Sequence, residues 1–217
     1  MINVDWAVKI ITKGLGFDDE VKEACETLVN EVKRLAVPLN VERAPFLSTR
    51  EFGIVFNPSR DVIRVDPILL AFNLRDHRND TGIPYEDLLW YLVSHEKGHY
   101  ELKQKGLRPL DPENEEYMML YTRFEDYAIS RFLRSKDEKY IRIERSILRA
   151  EARRLKVFSL NDATVLGLSI AHGYIEFKEL DLPSKFVEKV SSIASTMRKV
   201  KELSDIPVLV KQLLAKI

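Results

Sequence analysis

Two histidines four residues apart, with a glutamate directly after the first, stand at His95-Glu96-Lys97-Gly98-His99. Residues four apart on a helix share one face, so both imidazoles could reach one divalent cation while Glu96 is offset towards a water bound to it. His95, Glu96 and His99 therefore match H-E-x-x-H. The remaining histidines, His77 and His172, have no partner histidine at ligand spacing. The only cysteine is Cys25, read here as a small core residue. It cannot form an internal disulfide, which fits a reducing cytosol and leaves metal binding to His and carboxylates.

The elements that must carry these residues follow from periodicity and punctuation. Apolar residues at Val21, Ala24, Leu28 and Val32 predict an amphipathic helix from about Asp18 to Leu35. Two β-branched runs, Gly53–Phe56 and Val62–Val65, flank the turn-rich Asn57-Pro-Ser-Arg-Asp61 and predict a hairpin, with a further strand at Leu39–Arg43. A short helix after Asp66-Pro67 is expected to end near Leu74, leaving Arg75–Gly82 as a loop with His77 exposed. Pro84 opens the helix that bears His95 and His99, and Gly106 ends it. On that helix the stripe Leu88, Leu92, His95, His99, Leu102 faces inward, where unpartnered imidazoles would be costly and a metal would satisfy them. Gly98 lies inside the helix, as a close approach to the backbone would require. Further helices are predicted at Glu113–Leu133, Asp137–Lys156, Asp162–His172, Lys185–Leu203 and Val208–Ile217. The class is α+β, mostly α: a small hairpin or sheet, then the His-bearing helix, then a C-terminal helical bundle.

The H-E-x-x-H helix, the hairpin before it and the helix after it resemble the zincin superfamily of zinc metallopeptidases over about residues 53–133. The resemblance implies a zincin-like fold, Zn2+ as cofactor, a peptide or protein substrate, His95 and His99 as zinc ligands, and Glu96 as general base. A third ligand must come from elsewhere. A metzincin would have glycine and histidine where this chain has Leu102 and Lys105, so that branch is set aside. The gluzincin branch takes a glutamate from a following helix, and Thr122-Arg-Phe-Glu-Asp-Tyr-Ala128 offers Glu125 and Asp126. Glu125 has Tyr121, Ala128 and Ile129 as helical neighbours and is the expected ligand, with Asp126 as a partner supporting a ligand histidine. Glu115 and Glu116 are weaker candidates, because acids are favoured near a helix start anyway. Many gluzincins carry an acid four positions after the ligand glutamate; Ile129 stands there, and the subfamily is unassigned. Tyr100, His172 and Tyr174 are of the right type to donate to an oxyanion.

Composition bounds the rest. The 217 residues, 45% hydrophobic and 9% aromatic, suffice for one domain, expected as a catalytic part to about residue 135 and a helical part from about 136 to 217. With 34 basic and 34 acidic side chains the formal net charge is 0, so no global field draws the molecule to nucleic acid or anionic lipid. No apolar stretch approaches the ~20 residues that span a bilayer, and a cytoplasmic protein without a membrane partner is expected. No phosphate-binding Gly-rich loop or Gly-x-Ser-x-Gly elbow occurs. Arg134–Lys156 is locally basic, with Arg145, Arg149 and Arg153 at repelling spacing. This segment carries the alternative reading: a helical binding or regulatory protein contacting nucleic acid through Arg142, Arg149 and Arg153, in which H-E-x-x-H is accidental or a relic.

Overall fold

The β-branched runs pair as their alternation requires. In the computed structural model, which describes residues 3–13, 19–44, 52–103, 110–155 and 158–217, they belong to a three-stranded sheet. Strands β1 (Asn40–Arg43), β2 (Ile54–Asn57) and β3 (Val62–Val65) lie in the order β1-β3-β2, with β1 parallel and β2 antiparallel to β3. The Asp66 N–H donates to the Gly53 carbonyl at 2.9 Å, which makes those two residues a hydrogen-bonded pair. Antiparallel alternation then gives bonded pairs at Val55–Arg64 and Asn57–Val62 and turns the amides of Ile54 and Phe56 to the outer edge of β2.

By contacts the chain divides into two units, Met1–Gln104 and Lys105–Ile217. The first holds the sheet with α1 (Val4–Lys13), α2 (Asp19–Ala36), α3 (Pro67–Thr81) and α4 (Tyr85–Lys103). The second holds α5 (Glu115–Arg134), α6 (Glu138–Arg154), α7 (Leu160–Ala171), α8 (Ser184–Met197) and α9 (Ile206–Leu214). The α+β, mostly helical class is as expected, and the helices from α5 onward begin and end close to their predicted limits, except that α8 stops at Met197 and not at Leu203. Gly106, the expected stop of α4, lies outside the described residues. The contact boundary precedes α5 instead of falling near residue 135. Tyr117, Leu120 and Phe124 of α5 share one core with Leu166, Val190, Ile193 and Val210, so α5 belongs with the helices that follow it.

Two elements of the first unit differ from expectation. The periodicity of Val4, Ala7, Val8 and Ile11 builds α1, a helix not anticipated; Asp5 and Lys9, which break the apolar run, sit on its outer side and pair at 3.2 Å. Helix α3 does not stop at Leu74 but continues to Thr81, so the expected loop at Arg75–Gly82 is helical. The polar cluster makes local and tertiary pairs, Arg75 with Asp76 at 2.9 Å and Arg78 with Asp5 at 2.6 Å. Asp66 caps the start by accepting from the Ile68 and Leu69 amides, and Gly82 ends the helix at φ +70°, its N–H on the Arg78 carbonyl. His77 is consequently buried rather than exposed, its ring 5.5 Å from that of Phe52. Cys25 is buried in α2, as expected for a core residue, and burial raises its thiol pKa. Among the described residues no helix is long and apolar enough to cross a membrane.

Gly53 joins the hairpin to α3 at close range. Its φ is +79°, and a Cβ there would lie 2.2 Å from the Leu70 backbone nitrogen. Gly82 has a similar φ, +70°, with nothing within 4 Å of its would-be Cβ. We expect Gly82→Ala to cost about 1 kcal/mol, the left-handed backbone penalty alone, and Gly53→Ala about 3 kcal/mol or more, because the backbones must also separate. Urea unfolding of both variants checks this; equal losses would show that the close approach relaxes freely.

Candidate functional site

Helix α4 starts as predicted, with the Pro84 carbonyl accepting from the Leu88 amide at 3.0 Å. Its inward stripe is buried at Leu88, Leu92 and Leu102 and half-buried at His95 and His99. The two imidazoles are brought together: ring centroids lie 5.0 Å apart with planes at 77°, and the His95 ring packs 6.5 Å from that of Tyr91. One ring nitrogen of each lies within 4.8 Å of the other. Two nitrogens on a tetrahedral zinc, each at about 2.0–2.1 Å, would be ~3.4 Å apart. The pair is therefore within a side-chain adjustment of sharing one metal ion.

The residues between the histidines are tied to the first unit's other elements. Glu96 Oε2 accepts a 2.7 Å hydrogen bond from the Phe56 amide of β2. Lys97 reaches the end of α2, where Nζ donates to the Val37 carbonyl at 2.8 Å and more weakly to that of Leu35 at 3.4 Å. A cation there complements the helix dipole and satisfies carbonyls left open at a helix end. Gly98 is buried, and Tyr100 meets the Phe56 ring edge-on at 5.8 Å. The ties of Glu96 and Lys97 were not foreseen from sequence, since backbone partners leave no residue-type signal.

The acid pair lies on α5 of the second unit. Its burial reverses the order that helical neighbours suggested: Asp126 is buried and Glu125 half-buried. Asp126 pairs with Arg123 at 3.2 Å. Burial first, then the Glu125 carboxylate one turn further on, raise the pKa of Tyr121. Neighbour counting failed because α5 is covered on more than one side: Tyr127 and Ser130 are buried as well as Phe124 and Ile129.

His172 and Tyr174 belong to a buried polar cluster of the second unit. Glu144 accepts from the Ser130 hydroxyl and, at 2.6 Å, from that of Tyr174, whose ring also carries the Arg134 and Arg145 guanidinium groups at 5.0 and 5.3 Å. His172 stacks on Tyr127 at 4.7 Å, and its Nδ1 lies 2.6 Å from an Arg134 nitrogen. A guanidinium can only donate, so Nδ1 accepts and the neutral ring carries its proton on Nε2, which is buried without a hydrogen-bond partner among the described residues. Burial first, then the Arg134 and Arg131 charges, lower the His172 pKa to about 3. The residue that caps α7 is thus a neutral imidazole. Within the basic segment, Arg149 pairs with Glu179 at 2.9 Å and the Lys136 ammonium sits 3.8 Å above the Phe132 ring.

In comparisons with known proteins, no family model, curated protein or solved structure matches the chain.

The neutral His172 has a thermodynamic consequence. Its folded pKa of about 3 lies below the ordinary 6.5, so under pH 6.5 the unfolded chain binds a proton that the folded chain refuses. Stability present above pH 6.5 should therefore fall as pH drops, with a slope approaching ~1.4 kcal/mol per pH unit from this group. Chemical unfolding at pH 7, 6 and 5 should show a shallower decline for His172→Gln than for the parent chain; parallel declines would place the histidine outside this linkage.

Proposed function

We propose that the protein is a zinc-dependent peptidase whose metal ligands include His95 and His99 and whose general base is Glu96. The observation that supports this reading most is the half-buried imidazole pair on α4, with a ring nitrogen of each within 4.8 Å of the other. Zinc bound by such a set would supply a water acidified towards pH 7 and a Lewis acid for the substrate carbonyl. Glu96 takes the proton from the attacking water and delivers it to the leaving amine. The zincin resemblance implies Glu125 as the third ligand, with Asp126 supporting a ligand histidine. The substrate is a peptide or protein, and the single buried cysteine suits a reducing cytoplasm.

Metal analysis of protein purified without chelator, together with casein or peptide cleavage, tests the proposal. The expected result is stoichiometric zinc, lost in His95→Ala and His99→Ala. Glu96→Gln should keep zinc but lose at least ~100-fold in cleavage, the lower range for a general base. Zinc loss in only one of Glu125→Gln and Asp126→Asn identifies the third ligand. Stoichiometric zinc without cleavage of any peptide would reduce the protein to a metal binder. No zinc, combined with salt-sensitive nucleic-acid binding abolished at Arg142, Arg149 and Arg153, would establish the rival reading.

A further inference from the structure

The contact between Glu96 and the sheet joins residues 40 apart in the chain, a backbone amide of β2 and a side chain of α4. The Phe56 amide points out of the ladder, on the edge strand of the sheet. Such an amide ordinarily serves water or an added strand. Here it donates to a carboxylate, and bonds of this charged kind are roughly twice as strong as neutral ones. Both ends are held. Phe56 sits between the ladder pairs of Val55 and Asn57, with its ring against Tyr100. Glu96 is followed by Lys97, whose anchorage on the Val37 carbonyl fixes that turn of α4. A glutamate has three side-chain torsions, and unanchored it would exchange its two oxygens and sweep its carboxylate plane.

We infer that the backbone amide of Phe56 is a positioning group for Glu96. It holds Oε2 at a fixed point of the sheet edge, so that the carboxylate keeps one orientation relative to the histidines that flank it on α4. The inference rests on the reading of Glu96 as general base. It assigns a role to an N–H that every residue type except proline carries, so the identity of the Phe56 side chain is not what matters.

Hydrogen exchange on the full-length protein tests the contact, and a backbone ester tests the role. Exchange at the Phe56 amide should be at least tenfold faster in Glu96→Ala than in the parent chain, while the ladder amides of Val55 and Asn57 keep their rates and report an intact hairpin. Glu96→Gln, which retains an uncharged acceptor, should fall between, and Phe56→Leu should leave the protection in place. Replacing residue 56 with phenyllactic acid removes the N–H alone; zinc content and KM should hold while kcat falls about tenfold. Equal Phe56 exchange with and without the Glu96 carboxylate overturns the inference regardless of activity. An active enzyme whose kcat ignores the ester overturns it while leaving the peptidase reading intact. A protected amide in a zinc-loaded protein that cleaves nothing overturns the peptidase reading and the positioning role with it.

Discussion

A polar group on the covered side of a helix has to find a partner or lose several kcal/mol of solvation. Helix α4 carries His95 and His99 on the stripe of Leu88, Leu92 and Leu102, so that requirement shapes the first unit around it. The imidazoles are drawn to each other's vicinity, Glu96 takes an amide from the sheet, and Lys97 takes carbonyls from the end of α2. The ties of Glu96 and Lys97 also limit how α4 can rotate or slide. Polar satisfaction and placement of the turn between His95 and His99 are here served by shared contacts.

The elements behind α4 serve that placement. The hairpin can present its outward amide to Glu96 because β3 is the middle strand and β2 the edge. Gly53 lets the strand leave α3 at a distance no side chain would permit. The first helix, α1, contributes a buried stripe to the same unit and offers Asp5 to Arg78 near the end of α3. The second unit has a different interior, in which a buried glutamate, two tyrosines and a neutral histidine are arranged beneath arginines. That arrangement engages Tyr174 and His172 in packing and hydrogen bonds, which explains their residue types without any part in catalysis.

Local patterns in the sequence determined much of this protein. The strand pair, the cap-and-stripe signals of the helices from α4 onward and the spacing of His95, Glu96 and His99 are all set within a few residues of one another, where sterics, propensity and helical period act directly. Tertiary structure alone decided the remainder. The Arg75–Gly82 run reads as a loop until Arg78 finds Asp5 from the start of the chain, and that pairing belongs to a helix which buries His77. Asp126 rather than Glu125 became the buried acid because several sides of α5 are covered at once, which neighbours along one helix cannot reveal. The bond from Phe56 to Glu96 leaves no trace in residue type, since its donor is the backbone itself and its geometry exists only once strand and helix are packed.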